Sequence, residues 1–411
     1  MTKEKDFVTD RQRFLLLFLT ALLLRVVLIA LSPWHSDLEF LRACGADAAL
    51  NGITTIYEPL RHSPAPGYLP LSLYLLWFLD HAGNLLERII PGVDGFVWAY
   101  KLFLALVDGL IGWALYRRLS DAGNSTFGAV LFLFNPGVLF CGVIWGQLDN
   151  VYALFLLVSL ISLLDNRVGM AGLLFALACL TKIQAAVFAP LFLFAVMRRN
   201  AWRAMVPFSL GVLFLFVLGC LPFLLTGRMH AIVASLHRGG TLWHYLSVNA
   251  FNVWWLISGG NGFTPDTIPC FFKMTARSAG LVLFALGYLA ALVTILRHEG
   301  KAGARQEDSG TVLAFVLLAI AFFMLPTRMH ERCLFPVFVF LPLLPLSSLL
   351  EKGLYLLLAM SYYVNLNAVF HGHKHRTGVW TTHFSEIGML CAAVNVLAFA
   401  VLLGMALKRR V

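Results

Sequence analysis

The chain has 411 residues, 60% of them hydrophobic and only 13% charged, where a soluble globule carries roughly 25% charge. That balance excludes an ordinary water-soluble fold, and no hydrophilic stretch is long enough to form a separate soluble domain. The net charge of +10 lies in short runs beside apolar segments, which is orientation signal and excludes a nucleic-acid footprint.

Apolar runs able to form membrane helices fall at 14–31, 97–116, 125–144, 146–164, 169–181, 183–197, 204–225, 277–297, 311–326, 333–350, 353–370 and 385–407. About twelve spanning helices are therefore expected in one all-α membrane domain covering 1–411. The run at 14–31 reads as a spanning helix because further apolar runs follow it to the C-terminus. The two runs on either side of Lys182 are short, as steep or partly broken helices would be. The stretch 68–79 is too short to span and follows Pro64 and Pro66, so it is expected to lie along the outer interface or dip into the membrane.

Positive residues test this map. Lys3, Lys5, Arg11, Arg13, Arg117, Arg118, Arg167, Arg198, Arg199, Arg203, Arg297, Lys301, Arg305, Lys352, Lys408, Arg409 and Arg410 all fall on one side if both termini are cytoplasmic. The external side then holds the long loops 32–96 and 226–276, expected to form the active-site face. The seven cysteines show no CxxC pairing, and Cys44 with Cys270 is the one pair placed for an external disulfide.

Polar residues beside the membrane carry the functional signal, since each costs free energy there unless paired or hydrated. Asp37 opens the first external loop, where a partly shielded carboxylate can act as a general base; the plainer reading is a solvated loop acid or helix cap. Trp145-Gly146-Gln147-Leu148-Asp149-Asn150 concentrates amides and an acid at one turn, more than a plain helix connection needs. Lys182 and Gln184 follow a short apolar run. The Lys182 ammonium can aim at a phosphate or snorkel to the interface.

Arg328-Met329-His330-Glu331-Arg332 is the strongest cluster, two arginines kept on the side where positive residues are disfavoured. Their forked donors suit phosphate oxygens, and Glu331 can hold one arginine in position; a local ion-pair knot is the alternative. Ser247 to Trp255 mixes Asn249 and Asn252 with Trp254 and Trp255, as sugar sites and aromatic belts both do. His371-Gly372-His373-Lys374-His375 is followed by no carboxylate at ligand spacing, so no metal is assigned and a divalent cation stays open.

The motifs Arg328-His330-Glu331-Arg332-Pro336, Trp145-Gly146-Gln147-Asp149, Lys182-Gln184, Ser247-Asn249-Ala250-Phe251-Asn252 and Pro64 to Tyr74 resemble the integral-membrane glycosyltransferases of the GT-C fold. Within these, the similarity is to the mannosyltransferases related to the second GPI-anchor mannosyltransferase and their bacterial relatives. The resemblance implies a GT-C-like bundle with a juxtamembrane helix in its first external loop. It implies transfer of a hexose, mannose first, from a polyprenyl- or dolichyl-phosphate donor to a lipid, glycan or protein acceptor.

The family's essential acid maps to Asp37, with Glu39 and Asp47 as neighbours. Arg328, Arg332, His330 and Lys182 would face the donor phosphate. Gln147, Asp149, Asn150, Gln184, Asn249, Asn252 and Trp254 would hold sugar or acceptor, and Glu331 and Glu39 would support. A monomer in a bacterial inner membrane is expected, with the endoplasmic reticulum as the other setting. A lipid-sugar flippase or a lipid-linked glycan ligase is the competing reading. A transporter, however, would show two related halves with broken helices near mid-membrane.

Overall fold

The computed structural model describes residues 2–32, 35–57, 68–120, 125–270, 273–298, 303–374 and 382–408. In chain order its helices are α1 (Thr2–Leu31), α2 (Ser36–Asn51), α3 (Pro70–Ile89), α4 (Gly95–Leu119), α5 (Ser125–Leu133) and α6 (Pro136–Leu139). After a π-helical turn at Phe140–Trp145 come α7 (Asp149–Leu164), α8 (Val168–Thr181), α9 (Ala189–Asn200), α10 (Met205–Leu225), α11 (Met229–Thr241) and α12 (Val253–Ile257). The chain continues through α13 (Ala276–His298), α14 (Gly303–Met324), α15 (Phe335–Phe340), α16 (Leu349–Lys374) and α17 (Thr382–Leu407). No strand occurs among the described residues, only isolated bridges.

Six of these helices are long and apolar enough to cross a membrane, as in a multi-pass membrane protein: Asp10–Leu31, Gly95–Leu119, Trp202–Leu225, Ala276–His298, Leu349–His371 and Glu386–Leu407. A seventh crossing results if Thr126–Leu133 and Pro136–Trp145, bent by 48°, act together. This is fewer than the expected twelve, for physical reasons. Asp149–Leu164, Val168–Thr181 and Asp308–Met324 are apolar but shorter. The run 333–350 breaks into a 3₁₀ turn at Glu331–Leu334, the six-residue α15 and a second 3₁₀ turn at Leu341–Leu343. Pro336 and Pro342 stand at the starts of the last two pieces, where a missing N–H is tolerated but continuation from the preceding turn is not. Beyond Lys182 a 3₁₀ segment, Ile183–Phe188, precedes α9, which begins at Ala189-Pro190.

The chain divides into two compact units. The first comprises Leu16–Ala114 and Gly142–Leu242. In it α8 packs against both α7 and α10. Small residues let the backbones of α8 and α10 approach: a Cβ added at Gly172 would collide with the Phe208 carbonyl, and one at Gly211 would lie 2.7 Å from the Gly169 carbonyl oxygen. Close approach of this kind drives helix association where lipid removes the hydrophobic term. The stretch expected along the interface is the longer α3, apolar in its first half and carrying His81, Asn84, Glu87 and Arg88 in its second. It is tied down by Ser72, whose hydroxyl donates to Thr181 O (2.7 Å), and by Tyr74, which donates to Gly219 O (2.8 Å). Inside the same unit Arg25 of α1 and Asp108 of α4 form a fully buried ion pair, Nε to Oδ2 3.0 Å.

The second unit comprises Met1–Leu15, Leu115–Cys141 and Trp243–Val411. Its centre is α14, buried continuously from Thr311 to Ala321, as a helix apolar on every side must be. Helices α13, α15 and α17 pack on it. Asn135 caps α6 by accepting from Gly137 N and Val138 N and donates its amide to the Tyr355 hydroxyl.

All seven cysteines are free, so the disulfide suggested for Cys44 and Cys270 is not formed. Cys44 lies in the α2–α3 packing, where Gly45 sits close enough that its Cβ would be 2.7 Å from Leu76 O. Burial, reinforced by the Asp47 carboxylate, pushes the Cys44 thiol up to about 12. Because the thiolate is the reactive species, Cys44 should escape maleimide at pH 8 in the folded protein and react once it is unfolded in detergent. Mass spectrometry of the Cys44 peptide checks this; equal labelling in both states would mean that α2 does not pack on α3.

Candidate functional site

In the first unit the site grows from the start of α2. His35 is the N-cap of this helix: its Nδ1 accepts from the Asp37 backbone N–H at 3.1 Å. Accepting that bond leaves the neutral imidazole's proton on Nε2. Asp37 then sits in the first turn, where an anion is favoured by the helix dipole. Its Oδ2 accepts two further bonds, from the Trp145 indole N–H (2.9 Å) and the Gln147 amide (2.8 Å). The Asp37 side chain is nevertheless 42% exposed, and no hydrogen bond engages Oδ1 among the described residues. One oxygen is pinned and the other is open.

The donors come from the turn between the π-helical segment and α7. Gly146 adopts φ +88°, and a Cβ there would lie 2.6 Å from Leu38 Cδ2, so the turn requires glycine on both counts. Tyr100 donates its hydroxyl to Gly146 O at 2.9 Å. Lys101, buried in α4, donates to Ile144 O at 2.9 Å and to the Ser32 hydroxyl. Asn150 is fully buried and gives its amide to Asp108 Oδ1 and Leu104 O, both at 2.9 Å.

Two expectations change here. Asn150 was expected at a sugar; it instead satisfies the buried Arg25–Asp108 pair. Lys182 was expected to aim at a donor phosphate or to snorkel to the interface; its Nζ donates to Asp149 Oδ2 at 2.8 Å, with side chains 7% and 3% exposed, and lies 5.7 Å from the Tyr152 ring centre. Both Lys182 and Asp149 are thereby consumed in fixing the turn. Gln184 is half-buried and its Oε1 has no hydrogen-bond partner among the described residues, so it stays a candidate. Glu39 points to solvent, and Asp47 accepts from Asn51 at 2.6 Å.

The second unit holds the arginine cluster by itself. Arg328, in a left-handed backbone conformation (φ +66°), forks onto the fully buried Asp266: Nε to Oδ2 2.6 Å and Nη2 to Oδ1 3.2 Å. Its Nη2 also meets His244 Nδ1 at 2.7 Å. Arg328, expected at a donor phosphate, is thus anchored by an acid of its own unit. Glu331 does hold an arginine, as expected, with Oε1 3.3 Å from Arg332 Nη1. Arg332 and His330 each keep a quarter of the side chain exposed, and Trp243 stands edge-on to the His330 ring at 5.9 Å.

Backbone bridges place Val248 and Asn249 beside His330. Asn249 is left-handed (φ +65°), its carbonyl bound by Asn365 and its buried Oδ1 unpartnered. Asn252 and Trp254, expected at a sugar, are used inside the fold. Asn252 caps α12 through Trp254 N and Trp255 N and donates to Phe323 O, while the Trp254 indole donates to Leu325 O at 2.7 Å. Among the described residues no group of three or more His, Cys, Asp or Glu could hold a metal ion. Of the histidine run, residue 375 lies outside the described residues.

With this geometry in hand, the chain matches no model of a protein family, and no curated protein matches it significantly.

Sequence reading missed Arg25, Lys101 and Asp108. Their signal was present, since each is an ionisable residue inside an apolar run. It missed Asp266 and His244 for the opposite reason: they sit in a polar loop where nothing in the pattern singles them out.

The Lys182–Asp149 pair yields a double-mutant test. Lys182→Met strands a buried carboxylate and should lower stability by about 3–5 kcal/mol, whereas Lys182→Met with Asp149→Asn should recover most of that loss. Thermal unfolding in detergent reads both; a single variant as stable as wild type would show that the pair does not hold the turn.

Proposed function

We propose that the chain is a membrane glycosyltransferase that moves a hexose from a polyprenyl- or dolichyl-phosphate donor to an acceptor hydroxyl. The observation that carries the reading is Asp37, a partly exposed carboxylate oriented by two donors on one oxygen while the other accepts no hydrogen bond among the described residues. A general base needs that arrangement, fixed in direction yet open to the proton it takes.

Asp37 Oδ1 accepts the proton of the acceptor hydroxyl as its oxygen forms a bond to the anomeric carbon. The bond from that carbon to the carrier phosphate breaks in the same step, so configuration inverts. The leaving group is a lipid phosphate already stable as an anion, and no strong acid is required. In the second unit the resemblance, rather than any spare charge, assigns Arg332 and His330 to a donor phosphate, although Glu331 also pairs with Arg332. In the first unit Gln184, with an unpartnered amide oxygen, is assigned to a sugar or acceptor hydroxyl. The resemblance supports a GT-C-type bundle, mannose as the first sugar and reaction at the non-cytoplasmic face, the positive residues support cytoplasmic termini, and a bacterial plasma membrane is the first setting. An endoplasmic reticulum membrane is the second setting.

The test is transfer from a panel of labelled polyprenyl-phosphate sugars by the full chain in liposomes. Wild type should transfer sugar or hydrolyse one donor, and Asp37→Asn, folded, should lose roughly 100- to 10,000-fold. Undiminished transfer by Asp37→Asn would remove the base from Asp37. Intact lipid-sugar crossing the bilayer uncleaved would make the protein a flippase.

A further inference from the structure

Lys101 is a buried cation with no carboxylate partner among the described residues. It is 1% exposed, sits in the spanning helix α4, and donates only to neutral oxygens, the Ser32 hydroxyl and Ile144 O. Every other buried cation of the first unit described above, Arg25 and Lys182, has an acid. An unpaired ammonium in such surroundings is costly, and plain helix packing would be served better by an apolar side chain of the same length.

Its two acceptors explain its place. Ser32 ends the chain segment that leads, five residues on, into Asp37, and Ile144 immediately precedes Trp145, one of the two donors to Asp37. One ammonium therefore bridges the arm that carries the carboxylate and the arm that carries its donors. Tyr100, its neighbour on α4, holds the same turn through Gly146 O. We propose that Lys101 is a positioning residue for Asp37: by setting the separation of these two arms it decides whether the Trp145 and Gln147 donors reach Oδ2 and leave Oδ1 free.

The assignment rests on the proposed role of Asp37, so its first test does not depend on turnover. The full chain, with 5-fluorotryptophan at its ten tryptophans, is examined by fluorine NMR in lipid nanodiscs. Trp145→Phe identifies the Trp145 signal, and Asp37→Ala marks where that signal lies once its indole bond is gone. Lys101→Met should move the Trp145 signal toward the Asp37→Ala position, and Ser32→Ala should move it less in the same direction. The Trp113 signal, identified by Trp113→Phe, should stay in place, because a general loosening of the unit would shift it too.

If Lys101→Met does not fold, Ser32→Ala decides. A Trp145 signal at its wild-type position in the folded variants overturns the proposal, as does an equal movement of Trp113. On a donor that wild type uses, Lys101→Met should lower kcat about 10- to 100-fold with KM within about twofold, the mark of a misplaced base; a change confined to KM overturns the positioning role. A wild type that uses no donor sinks the transferase reading and leaves the NMR comparison to judge Lys101.

Discussion

A charge enclosed by apolar helices must find an opposite charge or a full set of hydrogen bonds, and this requirement organises the protein. Burial without partners costs several kcal/mol per ion, more than a marginally stable fold can absorb repeatedly. Arg25 answers with Asp108, Lys182 with Asp149 and Arg328 with Asp266. These pairs join segments distant in sequence, so satisfying each charge also fixes where a loop or turn sits.

The second unit shows the same economy in its backbone. Asn249 and Arg328 both stand in the left-handed region without being glycine, a conformation that persists only where surroundings impose it. For Asn249 the imposing groups are Asn365, whose amide binds the Asn249 carbonyl while its oxygen accepts from Phe251 N, and Asn395, which binds Phe251 O. For Arg328 they are the Asp266 carboxylate and the Tyr245 carbonyl, which accepts the Arg328 N–H. Side-chain amides from α16 and α17 thus do for this loop what a sheet partner would do in a β protein, supplying bonds to backbone groups that no helix can reach.

Much of the helical framework was readable in advance because apolar runs report burial directly. Runs 14–31, 97–116, 204–225, 277–297, 353–370 and 385–407 each fall within a helix of spanning length. Six or seven helices are of spanning length where twelve runs were read, because hydropathy does not see backbone continuity: Pro336 and Pro342 break 333–350, and a 3₁₀ segment follows Lys182. In the candidate site, Asp37, Trp145 and Gln147 were picked out separately, but nothing in the sequence tells that two of them donate to the third. The partners that sequence could not show share one cause. Lys182, Arg328, Asn150 and Asn252 are residues whose type suits a ligand, and only long-range pairing reveals that another part of the chain already uses them. Asp266, more than sixty residues before its arginine, has no local mark at all.

From Ile144 to Asn150 nearly every residue is tethered to a different place: Ile144 to Lys101, Trp145 and Gln147 to Asp37, Gly146 to Tyr100, Asp149 to Lys182 and Asn150 to Asp108. Such a segment behaves like a key whose teeth each meet their own pin. Exchanging one tooth disturbs one pin, whereas inserting or deleting a single residue would throw every later tooth out of step at once. The length of this turn is therefore held far more tightly than its composition. Variation in this region has to proceed by substitution, with the spacing between Trp145 and Asn150 kept constant.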